Sequence, residues 1–211
     1  MLRARGIGRL FHRLLHRSAM SLILASNSKI RRMMLEEAGI AFEVRTPAFD
    51  EDRVKRSGLE GEQLARTLAE GKAASVASAP GDSIIGSDST VMVDGKRFSK
   101  PRDRDEAADH LRTFSGRTML LSSAVALARQ GHVEWSHVET ARLHVRPLSE
   151  QFIAQYLDQE WPEVGHCVGV FRMEGRGVTL FDHVEGSHFT ILGMPLIPLL
   201  GALRERGLIP A

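Results

Sequence analysis

Two short stretches of this chain carry the residue types that handle anions. The first is Ala25-Ser-Asn-Ser-Lys-Ile-Arg-Arg32, an apolar strand candidate running through a polar turn into a helix candidate. A helix start offers unpaired N–H groups and a partial positive charge, so it makes a ready anion site. Ser26 and Ser28 add hydroxyls there, and Arg31 and Arg32 add forked guanidiniums suited to phosphate oxygens. Neighbouring helical residues point about 100° apart, so one arginine meets the anion while the other braces it or takes a second oxygen. A solvated helix face accounts for the same residues. The second stretch is Gly86-Ser-Asp88-Ser, where an aspartate directly after an apolar run reads as a strand-end carboxylate. At that place open α/β sheets present their ligands, and a carboxylate there can hold Mg²⁺ or accept a proton from water. A turn aspartate bonded to its own backbone is the plainer alternative.

Other charged residues are candidates only in company: Glu51 after a strand, Lys72 on an Ala-rich helix, Lys100 before Pro101, and Glu174 in Met-Glu-Gly-Arg-Gly177 between strands. The segments contain no Gly-x-Ser-x-Gly elbow, His-Glu-x-x-His helix, Walker loop or Gly-x-Gly-x-x-Gly turn. The one cysteine, Cys167, excludes an internal disulfide and a Cys-based zinc site and reads as a small buried hydrophobe. These residues alone suggest phosphate binding together with a hard cation.

The elements that must position them follow from periodicity and punctuation. Strands are expected at 21–25, 42–45 and 83–87, with 90–93 continuing into an Asp94-Gly95 hairpin. A helix after Ser28 should bury Ile30, Met33, Met34 and Ala38 and stop at Gly39; a second spans 60–78. Asp103 with Glu106 caps a helix to Phe114. Residues 118–128 and 133–145 form a long hairpin around Gln130-Gly131, a helix covers 149–159, glycine-punctuated strands lead to Phe181, and a last helix runs 196–206. Strands and helices mix without a strict βαβ rhythm, which predicts an α/β fold with a mixed sheet.

Composition agrees with a globular chain: 211 residues, 43% hydrophobic and 26% charged, with 19 Gly and 8 Pro. The longest apolar stretch, Ile191 to Leu203, is interrupted by Pro195 and Pro198 and is too short to span a bilayer. The formal charge of +2 is uneven: residues 1–19 hold five arginines and no acid, which leaves 23 Lys and Arg against 26 Asp and Glu in the body. The basic character therefore belongs to an amino-terminal arm (1–20) and gives no ground for nucleic-acid binding by the fold. That arm reads as a dispensable extension, or as an amphipathic surface helix or presequence through Leu10, Leu14 and Leu15. Its His12 and His16 lack a carboxylate neighbour and are not read as a metal site.

The chain resembles the Maf family of nucleoside triphosphate pyrophosphatases, the septum-formation proteins, from about Leu22 to Leu208. The resemblance is carried by Leu22-Ile-Leu-Ala-Ser-Asn-Ser with Arg31-Arg32, Phe49-Asp-Glu51, Glu70-Gly-Lys72-Ala and Ile84-Ile-Gly-Ser-Asp88. It continues in Ser99-Lys-Pro101, Ser115-Gly-Arg117, Gly175-Arg-Gly177 and Ile191-Leu-Gly-Met-Pro195. The order and spacing of these segments make it specific. It implies an elongated α/β fold at 21–211 with two lobes around a central cleft, a homodimer in the cytoplasm, and a divalent cation, Mg²⁺ or Mn²⁺. It further implies hydrolysis of a nucleoside triphosphate between the α and β phosphates. Carried over by position, Asp88 matches the catalytic aspartate, Glu51 a second acid near the metal, and Ser26, Arg31, Arg32, Lys72 and Lys100 bind phosphates. Glu174 stands where the 7-methyl-GTP branch has Glu and the dTTP/UTP-like branches have Gln. A carboxylate there could accept from N1–H and N2–H of a guanine. The chain departs at Ser89, where that branch usually has Gln, and at Ser123-Ala124, where many members have Thr-Gly. A second possibility is a nucleotide-binding regulator of cell-division arrest with weak or no hydrolysis.

Overall fold

The computed structural model describes residues 21–210; the arm at 1–20, with His12 and His16, lies outside the described residues. Its elements in order are β1 (Leu22–Ala25), α1 (Lys29–Glu37), β2 (Glu43–Val44), α2 (Glu51–Lys55) and α3 (Gly61–Ala74). Then come β3 (Ser83–Val93), β4 (Lys96–Phe98), α4 (Arg104–Phe114), β5 (Thr118–Arg129) and β6 (His132–Val145). The chain closes with α5 (Glu150–Glu160), β7 (Phe181–Glu185), α6 (His188–Leu192) and α7 (Leu196–Glu205). The seven strands form one mixed sheet in the order β2-β1-β3-β5-β6-β7, with β4 also on β3. β2 and β3 pair with β1 in parallel, and every other pairing is antiparallel. The expected α/β class with a mixed sheet holds.

Three apolar clusters surround the sheet. At one end, Val91, Val93, Met119, Leu121 and Leu143 pack with α4 and α5 through Leu111, Phe114, Tyr156 and Leu157. At the other end the two faces are covered separately. Ile23, Ile84, Ala124 and Ala126 meet the alanines of α3, and Leu24, Ile85, Val125 and Leu127 meet α1 and α7. Small residues on the α3 face let that helix approach closely. Gly86 is decisive: a Cβ there would lie 2.2 Å from the Ala69 carbonyl oxygen and 2.6 Å from the Ala73 nitrogen, so only glycine lets α3 settle on β3 at this level.

Several boundaries differ from expectation. In α1 the buried residues are Met34 and Leu35, while Met33 and Ala38 are exposed. The inward face is therefore rotated by one residue and runs through Arg31, three and four positions before that pair. The Ala-rich helix ends at Ala74 rather than 78. Between 160 and 181 there are two 3-10 turns, Glu163–His166 and Arg176–Leu180, in place of glycine-punctuated strands. Val170, buried at φ 54, turns the chain there, with its carbonyl accepting from the Tyr156 hydroxyl at 3.0 Å. The Val168-Gly-Val170-Phe171 composition favours a strand, but tertiary burial and this turn override it.

Candidate active site

A break in the pairing of β3 defines the site. Along one edge β1 pairs with β3 only from Ser83 to Gly86, and β4 pairs with the same edge only from Val91 to Val93. Among the described residues no strand covers Ser87–Thr90 on that edge, while β5 pairs with the whole of β3 on the other. Asp88 is thus not at a strand end, as the sequence suggested. It sits in mid-strand beside a notch left where its parallel neighbour stops, and the notch supplies the open access that a strand end would have given.

Pleating sends Asp88 to the α3 face with Gly86, and Ser87 and Ser89 to the opposite face. On the α3 face, Lys72 Nζ lies 2.7 Å from Asp88 Oδ2 and 2.9 Å from Glu51 Oε1. Lys55, one helical turn after Glu51, reaches its other oxygen at 2.8 Å. Two close contacts bring these groups together. Gly86 seats α3, and Gly71 seats the Phe49 ring, which a Cβ would meet at 2.1 Å. Phe49 anchored on Gly71 carries Glu51, two residues on, to Lys72. The Lys72 and Asp88 side chains are only 10% and 13% exposed, so their charges interact through little water. Burial opposes the charge on Glu51, but the bonds from Lys55 and Lys72 outweigh it and hold the carboxyl at about 2. Asp88 Oδ1 accepts from the Ser89 N–H at 2.7 Å. Oδ2 is shut off from solvent with no well-directed hydrogen bond, and the Lys72 ammonium is its ion-pair partner.

On the opposite face Arg31 donates from Nε to the Gly193 carbonyl at 2.9 Å and from Nη2 to Ser89 Oγ at 3.2 Å. Burial pushes its pKa down, and the nearby charges of Asp88 and Glu51 oppose that shift. Ser28 caps α1 by accepting from the Arg31 N–H, and buried Ser26 accepts from the Ser28 N–H at 3.2 Å. Arg32 is exposed, so the paired arginines divide between a fixed and a free position.

The structure therefore gathers Ser26, Arg31, Glu51, Lys72 and Asp88 around one notch. Lys100 and Glu174 belong to a second group. Both are exposed, and both act electrostatically on Cys167. Burial drives that thiol up to about 11, Glu174 adds to the shift and Lys100 reduces it, which keeps Cys167 an unreactive thiol. Beside Glu174, Arg172 is held by Glu160 at 2.9 Å.

Sequence reasoning missed Lys55, Ser87, Gly193, Thr190 and Glu139. The i,i+4 spacing from Glu51 could have found Lys55. The hairpin register, which sets Ser89 opposite Ser123 and Ser123 opposite Glu139, could have found the polar row. Gly193 has no local signal, since its role depends on where a five-residue helix docks.

Chemically, the notch offers a buried and a half-buried cation for a polyanion, a carboxylate poised beside them, and a second carboxylate across Lys72. A family model described as Maf-like protein matches residues 21–206. A 7-methyl-GTP pyrophosphatase of Rhizobium meliloti (strain 1021) is 46% identical over 195 residues, covering 90% of this chain and 98% of its own length. A nucleoside triphosphate pyrophosphatase of Sphingopyxis alaskensis is 46% identical over 197 residues, with coverages of 90% and 100%. Another, of Nitrobacter hamburgensis, is 47% identical over 191 residues, with coverages of 89% and 95%.

Proposed function

The chain belongs to the Maf-like protein family, and from that premise we propose that it hydrolyses a nucleoside triphosphate between the α and β phosphates. The products are a nucleoside monophosphate and pyrophosphate. The observation that carries this is the notch in β3, where Lys72 joins Asp88 and Glu51 and Arg31 lies alongside.

Water attacks the α-phosphorus, its oxygen forming the new P–O bond while the bond to the bridging oxygen breaks and pyrophosphate leaves. Asp88 orients this water and accepts its proton. Arg31 and Lys72, with the Ser26 hydroxyl, bind phosphate oxygens at the notch, and the exposed Arg32 and Lys100 meet the polyanion from outside it. Fixed cations favour the charge that builds in the transition state over the ground state. The two carboxylates flanking Lys72, one with a buried oxygen lacking a directed hydrogen bond, suit Mg²⁺ or Mn²⁺, which take one or two carboxylates plus phosphate oxygens. Glu51 and Asp88 would hold the ion, which supplies charge neutralisation on the phosphates when bound. Lys72, between the two carboxylates, would be within reach of a phosphate oxygen held at the same notch.

The favoured substrate is 7-methyl-GTP or another modified purine triphosphate. Glu174 supports this through acceptance from guanine N1–H and N2–H, and the relative from Rhizobium meliloti carries that name. Residues 21–211 act as one catalytic unit of two lobes, paired as a homodimer in the cytoplasm, with the arm dispensable. Among the described residues no helix is long and apolar enough to cross a membrane.

The test is a panel of 7-methyl-GTP, GTP, dTTP and UTP with Mg²⁺ or Mn²⁺, products resolved by ³¹P NMR. Monophosphate and pyrophosphate are expected, with the highest kcat/KM on 7-methyl-GTP. Diphosphate with orthophosphate would overturn the reaction. Tight nucleotide binding with no product would make the chain a nucleotide-binding regulator instead.

A further inference from the structure

The α6 side of the notch holds a polar row that the chemistry above does not use. Ser89, Ser123 and Glu139 are direct cross-strand partners on β3, β5 and β6, so their side chains leave one face of the sheet together. Ser89 Oγ and Ser123 Oγ are 2.8 Å apart, and Ser123 Oγ donates to the Thr190 carbonyl at 2.8 Å. Thr190 Oγ1 donates to Glu139 Oε2, and the other Glu139 oxygen faces His137 Nε2 at 3.2 Å. Ser123 and Thr190 are fully buried, where an unpaired hydroxyl is costly, so these bonds are strongly specified.

Thr190 belongs to α6, which has only five residues and cannot hold itself in place. Its position is set by what it touches, and its polar anchors are this row. The helix ends at Gly193, whose φ of +110 turns its carbonyl onto β3. That carbonyl accepts from Arg31 Nε at 2.9 Å, Ser87 Oγ at 3.1 Å and Ser89 Oγ at 3.2 Å. A chain of contacts thus runs from a carboxylate on β6, through one short helix, to the guanidinium in the notch.

We propose that Glu139 and Thr190 are positioning residues for Arg31. They fix α6, α6 fixes the Gly193 carbonyl, and that carbonyl sets the plane of the guanidinium that meets the phosphates. This rests on the phosphate-binding role given to Arg31 above, but its test does not depend on turnover alone.

The experiment measures Glu139→Ala and Thr190→Val in two ways: steady-state pyrophosphate release from the best triphosphate of the panel, and solvent exchange of the Arg31 Nε–H in ¹H–¹⁵N spectra, assigned with Arg31→Lys. Misplacing a catalytic cation without removing it should lower kcat about tenfold, with KM moving less than about threefold. Exchange of the Nε–H should quicken at least about fivefold as its bond to Gly193 loosens. Glu139→Gln and Thr190→Ser, which keep an acceptor and a hydroxyl, should rescue both readouts. Glu139 is part-exposed on a central strand, so its truncation leaves the core intact and keeps the question answerable if Thr190→Val fails to fold. A fall in Tm with kcat and exchange unchanged would reduce the row to a structural brace and overturn the proposal. If the wild-type chain releases no pyrophosphate from any triphosphate, the enzymatic reading falls, while the exchange data still decide the positioning.

Discussion

On the α3 face of β3, Lys72 stands between two carboxylates at 2.7 and 2.9 Å; on the α6 face, Arg31 is cradled by a carbonyl and a hydroxyl at 2.9 and 3.2 Å. Both cations serve one notch, yet their surroundings differ in kind. The charge of Lys72 is already balanced by its two carboxylates, so an incoming anion must compete with them for the ammonium. Among the described residues no carboxylate lies within ion-pair distance of Arg31, which meets only dipoles directly and feels Asp88 and Glu51 at longer range. Its charge has no carboxylate in direct contact, and desolvation lowers its pKa against the longer-range pull of Asp88 and Glu51. One face is an exchangeable ionic cluster and the other a fixed neutral cradle.

The sharpest way to break this contrast is Asp88→Asn, which removes the proposed proton acceptor and half of the carboxylate pair while keeping shape. Pyrophosphate release should fall about 10³-fold with the fold retained; a near-normal rate would remove Asp88 from the chemistry. Lys72→Met should cost about 10²-fold in kcat, as loss of one fixed cation does. It should also raise the pKa of Glu51, read by ¹³C NMR of the carboxyl. Ser89→Ala takes away one of two bonds to Arg31 and should cost about tenfold, on the order of 1.4 kcal/mol. If the two faces are independent, the Lys72→Met and Ser89→Ala penalties in kcat/KM add within about 0.5 kcal/mol; a larger coupling would join them into one network. The smallest effect is in acid. The carboxyl of Glu51 is lowered from 4.5 to about 2, so its contribution to stability is complete above about pH 4.5 and is lost as pH falls through about 2. Chemical denaturation across that range should show a loss that is absent in Glu51→Gln.

What could be read from residue order was what is local. The start of α1 after Ser28, Asp103 as the cap of α4 and the β5–β6 hairpin each rest on neighbours within a few positions, and each is present. Asp88 was visible because an apolar run leads into it, although the strand continues past it to Val93. The face of α1 differs from the pattern because Arg31 counts as polar in any hydrophobic period, whereas its guanidinium is held, half-buried, by partners remote in sequence, Gly193 and Ser89. For the same reason α6 left no periodic trace. Five residues cannot display a helical repeat, and tertiary hydrogen bonds decide where they lie. The segment after α5 misled through its β-branched residues, which pack as a loop against the α4–α5 cluster.

The unladdered stretch of β3 also works as a gauge. Four residues at about 3.3 Å each give an aperture about 13 Å long, whose two jambs are the last rung of β1 and the first rung of β4. Its width is written in strand lengths and not in side chains. Adding one rung to either jamb would narrow it by about a quarter, and two rungs on each would shut it, with every charged group still in the sequence.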